Sequence, residues 1–304
     1  MKLEILVPAE RLSLAAVRAE AWRGWMTTEQ FTERNARLNA HELAAERCTT
    51  FVWRAEGGEI LSSMELFDIT LGLTDGRDSW SEDPAVLIAS VITSPEHRSK
   101  GYAAAMIAAY FDKNPDQNAV LYSDIGPVFY ERFGFREAPC FVTEKKTGAL
   151  SDATARPIGI KTFSRKVGDL RYNTLLDKQK AGATLLPDPS WLDWRIECFR
   201  YFAEVANMPF FDRLYWSLDH GEEHLLAFVP NFPERKLEGL FVETDCQECL
   251  DFGAGLAGEW GLTGFRYWSS KQITPEDKAM CPMIRVPTLG PDAMYHDVQF
   301  CDWW

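Results

Sequence analysis

The sequence predicts an α/β protein in which helices are combined with strands, followed by a second, smaller α/β region. The apolar run 86–92 is typical of a buried strand, and a helix rich in small residues, 101–111, follows it after a short polar turn. The segment Glu56-Gly57-Gly58-Glu59 adds a hairpin turn between two further strands. With 304 residues, 46% of them hydrophobic, the chain is long enough for two domains with buried cores.

Local signals predict the other elements of the first region. Apolar periodicity indicates a helix over 9–25 after a short first strand, and a second helix, 28–47, begins behind a threonine cap. Gly134 is expected to end the last helix of the region as a left-handed cap. The rest of the predicted order is strands at 49–55 and 60–71, a polar and mobile loop at 72–84, a strand at 85–92, a helix at 101–111, a strand at 119–122 and a short helix at 127–133.

The second region is predicted from residue 191 onward. The polar stretch 146–190 is interpreted as a linker with some structure, which divides the chain into a first domain over 1–145 and a C-terminal domain over 191–304. The elements expected there are an aromatic helix at 191–205, strands at 224–229 and 237–243, a helix at 246–260 and a strand at 264–268. Late tryptophans, including Trp303 and Trp304, either line an acceptor pocket or pin the end of the chain.

Composition excludes several classes of protein. A net charge of −13 disfavours nucleic-acid binding, which needs the opposite sign. No apolar run approaches the ~20 residues of a membrane span, and the first residues lack the features of a signal peptide, so a cytoplasmic protein is expected. Seven scattered cysteines do not suggest a disulfide framework. Cys246 and Cys249 form a C-x-x-C pair that is interpreted as structural thiols, and no metal site is expected.

The polar turn before the small-residue helix has the composition of an anion cradle. A helix start presents unpaired backbone N–H groups and a partial positive charge. Gly101 removes a side chain at this point, Ala103 and Ala104 keep the first helical turn narrow, and Arg98 and Lys100 add positive charge. These residues predict a site for a diphosphate held mainly by backbone amides.

Two motifs resemble those of the GNAT superfamily of N-acetyltransferases. Arg98-x-x-Gly101-x-Ala103 resembles the acyl-CoA signature of that family, in the same position between strand and helix. Phe129-Tyr130-Glu131-Arg132-Phe133-Gly134-Phe135 resembles its Phe-Tyr-x-x-x-Gly-Phe segment, one strand downstream. The resemblance implies a GNAT acyl-CoA-binding fold for the first domain, with a central mixed sheet that splays at a bulge and opens a slot for the pantetheine arm of CoA. It also implies acetyl-CoA as cosubstrate. The residues implied to hold it are Val91, Ile92, Thr93, Arg98, Ser99, Lys100, Gly101, Tyr102, Ala103, Ala104 and Phe129.

The resemblance also implies catalytic roles. Tyr130 is expected to protonate the leaving CoA thiolate, and a backbone amide of the central strand, near Val91 to Thr93, to stabilise the oxyanion. Glu65, on the strand before the central one, and Asp124, after the next strand, are alternative bases for the incoming ammonium.

A closer resemblance concerns the acceptor. Tyr122-Ser123-Asp124-Ile125-Gly126 looks like a segment of the fungal lysine N6-acetyltransferases, which implies a lysine-like amino acid or another small amine as acceptor. The alternatives are a toxin or antibiotic amine, a protein amine, or a non-catalytic acyl-CoA sensor. The expected partner is therefore a small-molecule amine, with no nucleic acid or membrane, for a monomer or homodimer.

Overall fold

The computed structural model describes residues 1–76, 79–138, 140–150, 154–176, 181–186, 188–211, 213–219, 221–242, 246–269, 278–289 and 294–295. Trp303 and Trp304, named above, lie outside these residues. The chain divides into two compact units. The first comprises Met1–Glu137, Lys178–Ala183 and Met283–Tyr295, and the second comprises Ala138–Asp177, Thr184–Pro282 and His296–Trp304. Both units are discontinuous in sequence, whereas the predicted division at 145 and 190 is contiguous. That division stays a prediction.

The first part of the chain alternates helices and strands. Its elements are β1 Lys2–Ile5, a 3₁₀ helix Pro8–Leu14, α1 Ala15–Trp22, α2 Thr28–Ala40, α3 Glu42–Arg47, β2 Cys48–Arg54, β3 Ile60–Thr74, β4 Trp80–Thr93, a 3₁₀ turn Pro95–His97, α4 Tyr102–Lys113, β5 Asn118–Tyr122, α5 Val128–Glu131 and β6 Arg136–Glu137.

The elements of the remaining chain include several that the sequence pattern did not reveal. They are β7 Cys140–Lys146, β8 Thr154–Pro157, α6 Ile160–Leu176, β9 Gly182–Leu185, α7 Pro189–Val205, β10 Tyr215–Asp219, β11 Glu223–Asn231, β12 Lys236–Phe241, α8 Gln247–Glu259, β13 Gly264–Ser269, β14 Lys278–Met280, β15 Pro282–Arg285, a 3₁₀ turn Pro287–Leu289 and β16 Met294–Tyr295. The predicted linker 146–190 therefore contains two strands and a 17-residue helix.

The sheet of the first unit is mixed. Its strand order is β1-β2-β3-β4-β5-β15-β6, and β9 pairs with both β3 and β16. The pairs β1–β2, β2–β3 and β3–β4 are antiparallel, whereas β4 and β5 are parallel. The predicted mixed α/β class is thus confirmed.

Three local predictions for this unit are corrected. The predicted loop over 72–84 is mostly strand, because β3 and β4 stay paired from Ser62↔Thr93 out to Thr74↔Trp80. The pairing leaves the side chain of Glu82 exposed, so its charge stays in solvent. The predicted helix 28–47 breaks at His41, whose backbone is extended and whose Nδ1 accepts a hydrogen bond from the Leu43 amide at 3.2 Å. The predicted helix 9–25 is a 3₁₀ helix followed by α1.

The second unit is built on its own seven-stranded sheet, in the order β14-β7-β13-β12-β11-β10-β8. Only the β12–β13 pair is parallel among the strand pairs recorded for this sheet within the described residues. Helix α8 packs on the sheet through a core that includes Phe228, Phe252 and Phe265. A Cβ at Gly253 would lie 2.7 Å from the ring of Phe265, so the helix approaches the sheet where it has no side chain. No helix among the described residues is long and apolar enough to cross a membrane.

Candidate active site

The turn between β4 and α4 leaves the first amides of α4 open to a ligand. Gly101 caps α4 with a left-handed backbone, φ 79°, and Ser99 two residues earlier is also left-handed, φ 62°. No side chain caps the helix, and its first turn holds no acidic residue. A Cβ at position 101 would meet no described atom within 4 Å. Glycine is therefore favoured here by the backbone conformation, and the space before the helix can admit an anion.

The basic residues of the predicted cradle lie at the surface of this turn. Arg98 donates from Nε to the Thr93 carbonyl oxygen at 3.3 Å, and its Nη2 lies 3.8 Å from a carboxylate oxygen of Glu20. Lys100 donates to the Glu96 carbonyl at 3.0 Å. Surface pairs of this kind contribute little to stability, so both side chains can exchange these partners for a ligand phosphate.

The ladder between β4 and β5 ends at the level where the resemblance places a slot for the pantetheine arm. Their parallel register runs from Ala85↔Asn118 to Ile88↔Leu121 and goes no further in the described residues. The central strand also carries a bulge just beyond this point, because the register with β3 jumps from Glu65↔Ala89 to Ser63↔Ile92. Ser90, inside the bulge, has a left-handed backbone with φ 51°.

Beyond the bulge, the last residues of β4 have no partner in the described ladder with β5. These are the residues to which the sequence assigns backbone contacts with acyl-CoA: Val91, Ile92 and Thr93. The Thr93 hydroxyl lies 2.8 Å from the hydroxyl of Ser62 on β3, which holds this end of the strand against its other neighbour. The contact of this backbone with acyl-CoA stays a prediction.

Tyr130 lies within an aromatic cluster on α5. Its ring is 7% exposed and makes edge contacts with Phe129 and Phe135, with ring centroids 4.8 and 6.1 Å apart. Helix α5 is shorter than predicted, because it ends at Glu131 with Arg132 as its C-cap. Gly134 follows with a left-handed backbone, φ 83°, and donates its amide to the Glu131 carbonyl. The cluster fixes the direction of the tyrosine side chain, and its acid role stays a prediction.

Asp124 is exposed in a tight turn that directly follows β5. The Ser123 hydroxyl shapes the turn, donating to the Gly126 carbonyl at 2.7 Å and accepting from the Ile125 amide at 3.2 Å. Because β4 and β5 are parallel, this turn and the α4 cradle follow the same ends of neighbouring strands. Asp124 therefore lies at the same end of the sheet as the α4 cradle.

Glu65 is buried in an ion pair. It does not face an open cleft, although its apolar neighbours in sequence favour that position. The residue is 3% exposed, and its Oε1 accepts a hydrogen bond from Nη1 of Arg18 on α1 at 2.5 Å. It is opposite Ala89, the first residue of β4 beyond the parallel ladder. Burial and the Glu65 charge together raise the pKa of the neighbouring Cys48 thiol to about 12, so this cysteine stays protonated.

Arg18 is a residue of this site that the sequence analysis missed. It is 5% exposed, and its Nε and Nη2 have no hydrogen-bond partner among the described residues. The sequence did contain a signal. Arg18 shares the buried face of α1 with Ala15 and Ala19, and a charged residue on an apolar helix face indicates a buried partner.

The comparisons with known proteins agree with this geometry. The family model described as an acetyltransferase (GNAT) domain matches residues 15–138. A GCN5-related N-acetyltransferase from Kribbella flavida has a similar structure at TM-score 0.61 and 15% identity, covering 94% of this chain and 71% of that one. A probable N-acyltransferase from Enterococcus faecalis reaches TM-score 0.58 at 14% identity, with 95% and 73% covered.

A third similar structure is the N-myristoyltransferase of Saccharomyces cerevisiae, at TM-score 0.52 and 11% identity, covering 93% of this chain and 82% of that one. At these identities the likeness establishes a shared fold. No curated protein sequence matches the chain. The GNAT-type fold class predicted from the two motifs is confirmed by these similar folds, and residues 15–138 match the model of an acetyltransferase (GNAT) domain.

Proposed function

We propose that the chain transfers an acetyl group from acetyl-CoA to the primary amine of a small molecule, by direct transfer while both substrates are bound. The observation that carries this proposal is the end of the β4–β5 ladder at Ile88, followed along the chain by the bulge of β4 and the uncapped helix start at Gly101. Together they supply a slot for an extended arm and a cradle for its phosphates. The N-myristoyltransferase of similar fold was solved with bound myristoyl-CoA, which supports an acyl-CoA in this place.

The proposed chemistry needs one proton acceptor and one proton donor. The amine nitrogen attacks the thioester carbonyl carbon, and a backbone amide near Ile92 stabilises the oxyanion. The C–S bond then breaks, and the thiolate takes the hydroxyl proton of Tyr130. The nitrogen loses its extra proton to a carboxylate, directly or through water. Positioning and the oxyanion contact supply most of the acceleration.

Asp124 and Glu65 have different proposed roles in accepting the proton of the amine. Asp124 is exposed at the end of β5, so it is available to meet an ammonium group arriving from solvent. Glu65 is buried and paired with Arg18. Its charge can therefore act on the acceptor only over a distance or through an ordered water. We therefore assign Asp124 the first contact with the amine, and keep Glu65 as the alternative base.

The acceptor is proposed to be a lysine-like amino acid or a similar small amine. The support is the resemblance of the segment 122–126 to fungal lysine N6-acetyltransferases, together with the acidic surface of the protein. A protein amine and an antibiotic amine are competing acceptors, and an acyl-CoA sensor is the competing function without catalysis.

The test is release of free thiol from acetyl-CoA in the presence of L-lysine, ornithine, polyamines, aminoglycosides or a lysine-containing peptide, one at a time. We expect release with at least one free amine, and formation of its N-acetyl product by mass spectrometry. Tight acetyl-CoA binding without turnover on any amine would instead indicate a sensor. Release with the peptide alone would replace the small acceptor with a protein.

The cradle is tested separately through Gly101→Asn. Asparagine tolerates the left-handed backbone, so the fold is retained while a side chain enters the space before α4. We expect acetyl-CoA affinity to fall at least ~10-fold, about 1.4 kcal/mol. The matched control is Gly221→Asn in the second unit, which has φ 85° and a similarly open Cβ position among the described atoms. Equal affinity in both variants would exclude the α4 cradle as the phosphate site.

A further inference from the structure

Three soft metal ligands converge in the second unit, outside the site described above. The imidazole of His224 and the thiols of Cys246 and Cys249 each offer one donor atom, and these atoms all lie within 4.8 Å of one another. His224 is 7% exposed, Cys249 is fully buried and Cys246 is partly buried. Neither Cys246 nor Cys249 takes part in a disulfide bond. The sequence suggested only structural thiols, because the histidine is 22 residues away from the pair.

Two elements position these ligands. His224 lies at the start of β11, and its register partner across the sheet is Leu218 of β10. Cys246 is the cap of α8, and its Sγ accepts a hydrogen bond from the Cys249 amide at 3.3 Å. Cys246 and Cys249 therefore span the first turn of the helix, and their sulfurs lie on the same side of it.

The Cys246 sulfur has polar neighbours from the helix start and from a carboxylate. The amide of Cys249 donates to the Cys246 sulfur, and the start of α8 carries a partial positive charge. Hydrogen bonds from backbone amides to a ligating sulfur orient it and stabilise its charge. A carboxylate oxygen of Glu248 lies 3.7 Å from the same sulfur, at a position where it accepts the thiol proton's hydrogen bond.

We propose that His224, Cys246 and Cys249 form a binding site for one Zn²⁺ ion. In a tetrahedral site with Zn–S bonds of about 2.3 Å, two sulfurs stand about 3.8 Å apart, which is within the spacing of this cluster. Two thiolates and an imidazole suit zinc and exclude Ca²⁺ and Mg²⁺, which require oxygen ligands. Three protein ligands leave one tetrahedral position for a water molecule or another ligand.

The ion would connect the start of β11 to the start of α8. Each bound Zn²⁺ displaces the thiol protons of Cys246 and Cys249 and forms two Zn–S bonds and one Zn–N bond, with no change in oxidation state. Because the unfolded chain does not hold the three ligands together, zinc should raise the melting temperature of the second unit. This inference is independent of the acetyltransferase activity proposed above.

The experiment uses the full chain without an affinity tag, reduced, stripped with a chelator and then titrated with Co²⁺ as a spectroscopic substitute for zinc. We expect a sulfur-to-cobalt charge-transfer band that saturates at one ion per chain and disappears when Zn²⁺ is added. His224→Gln and Cys246→Ser should lose stoichiometric binding and the melting-temperature shift with zinc. The matched control is Cys198→Ser, which removes a buried thiol elsewhere and should keep both.

Two results would overturn the proposal. One is wild-type protein, reduced and folded by circular dichroism, that binds no cobalt and shows no shift with zinc. The other is a His224→Gln variant with the wild-type band at full intensity, which would place the metal on other groups. Cys246 is the least buried of the three residues, so Cys246→Ser keeps the test decisive if a variant at a more buried position fails to fold.

Discussion

Arg18 and Glu65 form a buried ion pair at the candidate active site, and this pair affects the stability of the fold. Removing one partner leaves an uncompensated charge in a dry environment, which typically costs roughly 3–5 kcal/mol. We expect Arg18→Met and Glu65→Leu each to reduce the free energy of unfolding by about this amount. The double variant should recover most of it, because two apolar side chains of similar volume leave no buried charge.

Urea denaturation of the four proteins measures this coupling as a double-mutant cycle. Destabilisations that simply add would show that the two side chains do not act as a pair. The same variants address the base. If the ion-paired Glu65 is not the group that meets the amine, Asp124→Asn should reduce turnover more than the conservative change Glu65→Gln.

The hydroxyl of Tyr130 is the proposed proton donor to the leaving thiolate. Tyr130→Phe removes the proposed acid and leaves the ring packed against Phe129 and Phe135. We expect kcat to fall roughly 100-fold, the lower end of general-acid contributions, with acetyl-CoA affinity changed by less than about twofold. The control is Tyr110→Phe, which removes a buried hydroxyl elsewhere in the unit. Wild-type kcat in Tyr130→Phe would remove this residue from the mechanism.

At the scale of elements, the bulge of β4 decides whether a slot exists. Ser90 holds a left-handed backbone at φ 51°, which costs a non-glycine residue roughly 1–2 kcal/mol. Ser90→Gly should therefore raise the melting temperature and leave turnover near the wild-type rate. Ser90→Val should lower both, because a β-branched residue resists this conformation and favours a straight strand. Equal melting temperatures for the glycine and valine variants would show that the bulge does not depend on this backbone angle.

One carboxyl group in the sheet of the second unit, that of Glu238, has a raised pKa. Burial raises the pKa of Glu238, 2% exposed, from its ordinary 4.5 to about 7, against the opposing effects of Arg266 and Asn231. The folded state therefore binds more protons than the unfolded state between these pH values. The contribution of Glu238 to stability is complete below about pH 4.5 and is lost as the pH rises to about 7.

Thermal unfolding of the wild type and Glu238→Gln across this pH window tests the prediction. The difference in stability between the two proteins should change in favour of the glutamine variant as the pH rises. Glu234→Gln is the control, because Glu234 also pairs with Arg266 but is exposed. A pH-independent difference would mean that Glu238 is charged throughout the window.

At the scale of the whole molecule, the first unit depends on residues that come late in the chain. Strand β15 lies between β5 and β6 in its sheet. Arg285, at the end of β15, donates to the carbonyls of Pro115, Gln117 and Phe133 at 2.7, 2.5 and 3.0 Å. Its guanidinium also lies 4.3 Å from the ring centroid of Phe111. This single side chain therefore ties the end of α4 and the end of α5 to the sheet.

The fragment 1–145, the first domain as the sequence divides it, should for this reason fail to fold. It lacks a strand that separates two of its own, and its sheet would carry unpaired backbone groups at that position. In the full chain, Arg285→Ala should reduce the stability of the first unit by about 3 kcal/mol. A soluble fragment 1–145 with cooperative unfolding and acetyl-CoA binding would contradict this prediction.

The sequence by itself determined the elements whose signals are local. The buried strand, the glycine turn and the small-residue helix that follow one another from 85 to 113 can be read from neighbouring residues, as can the cap at Gly134. The two motifs that resemble those of the GNAT family, at 98–103 and 129–135, lie in or next to these local elements. Their physical basis is short in range, since backbone conformation and helix capping depend on a few consecutive residues.

Only the tertiary structure decided the features that join distant parts of the chain. Nothing near Glu65 in sequence reveals its partner Arg18, 47 residues earlier. The place of β15 beside β5 and the approach of His224 to Cys246 and Cys249 likewise depend on which strands become neighbours. Strand pairing is set by packing over the whole sheet, and propensity and spacing do not encode it at this range.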